Sequence, residues 1–371
     1  MAWSKSRQSC IRNDDQQVKA ETNMAVAKLK NRIGMAGRLT TQRLAYSLGV
    51  LFVLLIIVGI LSIATGSEHV GFSTVVRVIA AKIAGRVADV SQEHSLIISD
   101  IRLPRVLMAI VVGAALAVAG SAYQALLRNP LADPGILGIS SGAALGAITA
   151  TIFAEAVPIS RPVAAFAGAV LTIAVVYALG QGRRGSGTER LILAGVITNA
   201  SLSSIVIFLV TSASGARQRN VLSWLIGDLS GESRLLAPVA LFVIVGIGAV
   251  YIYARSLNLM MIGEEEALAL GVETRRVKVA VYLAASLLTG AAVAVSGAIG
   301  FVGLIIPHSV RLVGGSDNRL VIPASALVGG AFLMLADTIA RTVVAPRELN
   351  IGVITSLVGA PVFVYLLRRT N

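Results

Sequence analysis

Apolar and polar positions along this chain alternate on a scale of about twenty residues, long enough for a helix to cross a hydrocarbon core of about 30 Å. The long apolar runs are separated by short polar bursts. The pattern predicts ten spans, near residues 44–65, 104–126, 136–155, 162–180, 191–211, 236–255, 277–297, 301–313, 322–341 and 350–367. The eighth is short and contains Pro307, which predicts a broken or half-crossing helix. Residues 1–43 are polar and mixed in charge, lack the order of a signal peptide, and read as a disordered cytoplasmic tail in which Met24 and Met35 are alternative starts.

Two segments are near-copies: Gly113–Gly120 (GAALAVAG) and Gly290–Gly297 (GAAVAVSG), 177 residues apart. They fall in the second and seventh predicted spans, so five spans separate them and they run in opposite directions through the bilayer. Inverted repeats of that kind build transport pathways, because two packings of the halves open one side and then the other. The expected fold is all-α and polytopic, with helices 2–5 repeated as helices 7–10.

Composition agrees with a membrane protein. Apolar residues make up 56% of 371 and charged residues 14%, where a soluble domain carries about a quarter charged. Mean hydropathy is +0.81. The net charge of +13 does not imply a nucleic-acid partner, because the basic residues are scattered over loops. Cys10 is the one thiol, so neither a disulfide framework nor a cysteine metal site is expected. With both termini inside, inner segments hold 21 of the 32 Lys and Arg and outer segments 11, which favours cytoplasmic termini. Without the tail the bias shrinks to 12 against 11; the tail and the Gly182–Arg190 loop carry the orientation.

The strongest local feature is Arg102-Leu-Pro-Arg105 leading into the second span, followed by the run from Gln124 to Gly142. Pro130, Pro134 and Gly135 interrupt the helix there. Backbone freed of helical partners at membrane depth must lie against protein or a wet cavity. Gly138, Gly142 and Gly146 repeat every four residues and predict a smooth stripe for close helix packing.

The run from Arg102 to Gly146, with Gly300–His308 (GFVGLIIPH), Glu348–Thr355 and Gly359–Phe363, resembles the FecCD family. These are membrane-spanning subunits of type II ABC importers for ferric siderophores, haem and vitamin B12. The resemblance covers residues 44 to 369 and leaves out the tail. It implies ten spans, a homodimer with a second copy of the chain, two cytoplasmic ATPase subunits and a periplasmic binding protein, in a bacterial inner membrane and its lipid. No Gly-Lys pair occurs in the chain, so a P-loop is excluded. ATP and Mg therefore belong to the partner, and no cofactor, metal or catalytic residue is expected here.

The resemblance assigns roles to residues. The connection near 262–273, with Glu264, Glu265, Glu266, Ala267, Leu268, Leu270 and Gly271, is implied to be the coupling helix that sits in a cleft of the ATPase. Acids at 264–266 also suit a helix N-terminus. Arg102, Arg105 and Arg341 are implied to meet glutamates of the binding protein, since a planar guanidinium grips carboxylates bidentately. Arg102 and Arg105 equally suit anchoring at headgroup level, and Asp337 four residues before Arg341 suits a local ion pair. Arg217 and Arg219 are weaker candidates in an outer loop.

Thr198, Asn199, Ser201, Ser203 and Ser204 on the fifth span are candidates for the translocation path, or for bonds to their own helix backbone. His69 and His94 lie in an outer segment, where solvated side chains are the ordinary case; His308 belongs to the Pro-His element. A secondary transporter would place acids near mid-membrane, and Asp337 is the one clear acid in a predicted span. The expected cargo is a haem or ferric siderophore ahead of cobalamin, with an ion-gradient-driven carrier as the rival reading.

Overall fold

The structure is a computed structural model and describes residues 40–66, 70–86, 90–153, 159–180, 188–231 and 233–370. The tail with Cys10, Met24 and Met35, together with His69 and residues 181–187, lies outside the described residues. The chain divides into Met1–Ala45 and Tyr46–Asn371.

Helices occupy all ten expected spans. The first is α1 (Thr41–Ala64). Helices α2 (Phe72–Ile83) and α3 (Gln92–Leu96) follow. A π-helical turn (Ile97–Arg102) then joins α3 to α4 (Leu103–Leu126), the second span. Spans three to five are α5 (Ile139–Ile152), α6 (Arg161–Gly180) and α7 (Thr188–Ser212). Helix α8 (Gly215–Ile226) precedes the sixth span, α9 (Leu236–Ile252). Two short helices, α10 (Ala254–Ile262) and α11 (Glu264–Ala269), lead to α12 (Thr274–Ser296), the seventh span. The last three are α13 (Val302–Gly314), α14 (Asn318–Thr342) and α15 (Ile351–Thr370). Among the described residues seven helices are long and apolar enough to cross a membrane; α5, α13 and α15 are shorter.

Helix α4 is the hub. Every residue from Val112 to Leu126 is buried, as a helix apolar on all faces must be. It packs against α14, α12, α13 and α9. Its repeat partner α12 packs against α6 and α5. Spans 2 with 9 and 2 with 8 thus correspond to spans 7 with 4 and 7 with 3, which is the inverted repeat in three dimensions. The copied glycines hold equivalent places. A Cβ on Gly113 would strike the backbone of Gly329, and one on Gly290 would lie 2.9 Å from the Cβ of Ala169.

The third and eighth spans share an irregular start. Gly138 (φ 76°) precedes α5 and Phe301 (φ 70°) precedes α13, both in the left-handed region. Helix α13 has 13 residues, about 20 Å at 1.5 Å per residue, so it does not span a core of about 30 Å. Its first turn meets α4 at Gly120, about 22 Å along that helix from Arg105. The segment before it therefore reaches about two thirds of the way along α4, which leaves the eighth run too short to span, as its length and Pro307 predicted. Pro307 has no N–H for the carbonyl of Gly303 four residues earlier. Gln124 on α4 supplies the missing donor, its Nε2 lying 3.4 Å from the Gly303 oxygen and 3.0 Å from that of Leu304.

Candidate functional site

At one end of the bundle, the connection between the sixth and seventh spans presents apolar side chains to solvent. Ile262 is 71% exposed, Leu268 53% and Leu270 65%. Glu265, Glu266 and Gly271 are exposed beside them. Gly271 has φ 83°, which lets the chain turn sharply after α11. Two of the expected contact residues face elsewhere. Ala267 is buried completely, and Glu264 pairs with Lys278 on α12 at 2.6 Å. The remaining surface is an apolar knob rimmed by carboxylates.

Helix α10 fixes that knob to the bundle. Ala254, Leu257 and Met260 form its buried face, a spacing of three that lines one side of a helix. Asn258, one residue round, points at the α13–α14 turn. There its Nδ2 donates to Asp317 at 2.8 Å and its Oδ1 accepts from the backbone N–H of Asn318 at 2.8 Å. Burial works to raise the Asp317 carboxyl, but hydrogen bonds from Arg319 and Asn258 outweigh it and hold the group below the ordinary carboxylate range. Asp133, in the loop before α5, is the reverse case: burial pushes it up, although the N–H of Gly135 donates to it.

At the opposite end, the three arginines expected to meet a partner belong to one largely buried cluster. Asp337 lies between Arg105 and Arg341, accepting from each Nε at 2.9 Å. Arg105 also donates through Nη1 to Glu348 at 2.7 Å. Arg341 donates to the carbonyls of Ser62 and Thr65, and Arg102 to those of Ile63 and Ala64. Those carbonyls belong to the last turn of α1 and the residue after it, where intrahelical donors run out. Arg102 and Arg341 are each 5% exposed. The expectation that they present themselves at the surface is corrected: burial commits them to capping α1. Of this cluster only Glu348, 53% exposed at its side chain, reaches well into solvent. Arg217 and Arg219 are exposed on α8.

The polar residues of α7 divide into two groups. Asn199 accepts from Ser141 Oγ at 2.6 Å, and Ser141 and Ser203 lie 3.2 Å apart, so these tie α7 to α5. Thr198 is buried. Ser201 and Ser204 are exposed and donate to the carbonyls of Ile197 and Ala200. They share a face with Leu193, Ile197, Ile205 and Phe208, all exposed. Gly142 and Gly146 meet α6 at Gly168 and Ala164, whereas Gly138 meets α7 at Gly195 and Asn199. His94 pairs with Ser91 Oγ at 2.8 Å and His308 is half-buried on α13. Among the described residues no group of three His, Cys, Asp or Glu could hold a metal ion.

The family model described as the FecCD transport family matches residues 54–369. The chain belongs to that family. Among its relatives, the cobalamin import system permease protein BtuC of Halobacterium salinarum is 45% identical over 280 residues, 75% of each chain. The hemin transport system permease protein HmuU of Yersinia pestis is 43% identical over 73% of this chain and 82% of its own. A solved structure of an ABC transporter of the metal-chelate type, in an inward-facing conformation, superposes with a TM-score of 0.77 at 29% identity, over 88% of this chain and 99% of the other.

Within this FecCD chain, sequence reasoning missed Asn258, Arg311, Asn318 and Gln124. Asn318 stands between Asp317 and Arg319 at the start of α14, whereas Asn258, Arg311 and Gln124 are polar residues in helices whose neighbours in sequence are apolar. Such a residue must find a partner inside the bundle. That rule marks those three; which partner each takes depends on helices 50 or more positions away.

Proposed function

We propose that this chain is the membrane-spanning subunit of an ATP-driven importer for an iron chelate or a tetrapyrrole. Two copies would enclose the path, with a separate ATPase at each inner connection and a binding protein at the outer end. Both termini would be cytoplasmic, in line with the basic bias of the inner segments.

The observation that carries this reading is the exposed knob Ile262–Leu268–Leu270 with its acidic rim. Exposed apolar side chains rimmed by polar ones mark a surface for another protein. The chain's lack of a P-loop means that nucleotide chemistry must come from such a partner. At the outer end the ion pair of Arg105 with Glu348 is where a binding protein would touch the charged cluster. Arg102 and Arg341 would stiffen that end from within. The exposed face of α7, with Ser201 and Ser204 among apolar residues, suits the wall of a path for a large, mostly apolar ligand. Relatives named for cobalamin and for hemin carry both ligand classes, so haem, ferric siderophore and cobalamin all remain within the proposal. An ion-driven carrier is disfavoured because Asp337, the one clear acid in a predicted span, is locked between two arginines.

Co-purification tests the ATPase reading. The wild-type chain is expected to retain the ATPase encoded beside it through detergent extraction. Leu268→Glu with Leu270→Glu is expected to lower that retention at least about tenfold, since each charge would enter an apolar contact (1.4 kcal/mol or more in total). Equal retention by both proteins would remove this surface from the proposal.

A further inference from the structure

One half-buried guanidinium joins the inner connection to the hub. Arg311 on α13 donates through Nη2 to the backbone carbonyl of Ser121 on α4 at 3.2 Å and to Asn318 Oδ1 at 3.1 Å. Its Nη1 lies 3.4 Å from the carbonyl of Ser316 and 3.7 Å from Met261 Sδ. Asn318, at the start of α14, is completely buried. It donates to Asn258 Oδ1 twice, from its backbone N–H at 2.8 Å and from Nδ2 at 2.9 Å.

These bonds fix one another. The backbone N–H of Asn318 can only donate, so Asn258 must present its oxygen there. That turns the Asn258 Nδ2 toward the Asp317 carboxylate, an acceptor. Asn318 Oδ1 is then the oxygen that accepts the hydrogen bond from the guanidinium N–H. No single amide can turn over without breaking two bonds, so the arrangement has one state. It links four elements: α10, which ends at the exposed knob, α13, the turn into α14, and the hub α4.

We propose that Asn258, Asn318 and Arg311 form a rigid joint that carries displacement of the inner connection into α4, α13 and α14. The three are positioning residues; none needs to touch cargo or nucleotide. The inference rests on the reading that an ATPase docks on the knob. The chain on the other side of the knob, from Glu264 to Lys278, has its own tie to α12. A push on α11 therefore enters two packed groups of helices together: α12 with α5 and α6 on one side and, through the joint, α13 and α14 with α4 on the other. Switching between two packings of a transporter requires that kind of simultaneous input.

The test follows hydrogen exchange in the complex of this chain with its ATPase in nanodiscs, with and without ATP and vanadate. In the wild type, nucleotide is expected to change exchange both at residues 262–271 and in the connection that follows the far end of α14, residues 343–350. Asn318→Ala is expected to keep the change at 262–271 and ATP hydrolysis within about twofold, and to lose the change at 343–350. Asn258→Cys with Asn318→Cys, in a Cys10→Ser background, separates transmission from folding within one preparation. The reduced protein should behave as Asn318→Ala, and the oxidised one, joined covalently, should respond at both places. A distal response that survives in Asn318→Ala, or that is absent from the wild type while 262–271 responds, overturns the joint. Absence of any response at 262–271 in the wild type overturns the docking reading instead.

Discussion

Asp337 satisfies two guanidiniums at once, and each of those also bonds elsewhere. Removing its charge would leave Arg105 and Arg341 buried together and unbalanced. Asp337→Ala is expected to cost about 3–5 kcal/mol, the usual penalty for breaking a buried pair, read as a lower thermal transition of the purified protein. Glu348→Gln, at the exposed limb of the same cluster, is expected to cost under about 1 kcal/mol. Similar losses from both would mean that the cluster is solvated. The sequence offered half of this arrangement. Asp337 and Arg341 are a helical turn apart, so their pairing was legible from spacing. Arg105 and Glu348 lie 243 positions apart, and nothing local announces that they meet.

A second residue-scale case is Gln124, which stands in for the N–H that Pro307 lacks. Gln124→Leu should destabilise by about 1 kcal/mol, the range of hydrogen bonds inside membrane proteins. In a Pro307→Ala background, where the helix regains its own donor, the same substitution should cost markedly less. A double-mutant cycle by thermal unfolding checks this, and strict additivity would show that Gln124 serves something else. The proline was visible as a break in the eighth span; its remedy on another helix was not.

Among helices, contact is made through glycine. Gly113 and Gly120 on α4 admit the backbones of α14 and α13, and Gly146 on α5 admits that of α6. Gly120→Ala would force its methyl into the Gly303 carbonyl, so an overpacking penalty of about 1–3 kcal/mol is expected. Gly248→Ala on α9 has nothing within 4 Å and should be neutral or slightly stabilising through helix propensity. Equal thermal transitions for the two variants would contradict the close packing described. The repeated glycine segments and the four-residue stripe were legible because small residues at helical spacing have few other uses in an apolar run. Helix ends were less so: α10 and α11 are separate helices divided by an extended Gly263, a break that hydropathy alone does not mark.

For the molecule as a whole, ten apolar runs and one copied segment sufficed to place the chain among inverted-repeat membrane folds, because hydrophobic length and repeat direction are set by the bilayer itself. Of the residues proposed for the ATPase surface, Leu268 and Leu270 are exposed, whereas Ala267 and Glu264 turn inward, which depends on α12 and is not marked in the sequence. The outer arginines were misjudged because composition shows that a charge sits at a helix end without showing what covers it. Cargo identity has no local signature: the exposed serines of α7 offer hydroxyls already bonded to their own backbone. The central claim, an importer driven by a partner's ATP hydrolysis, is tested most directly by uptake. The chain would be reconstituted in liposomes with its ATPase and binding protein, and offered haem, a ferric siderophore and cobalamin in turn. Accumulation of one of them that requires ATP and is abolished by scrambling residues 264–271 is the expected result. Accumulation driven by an ion gradient with no ATPase present would contradict the account.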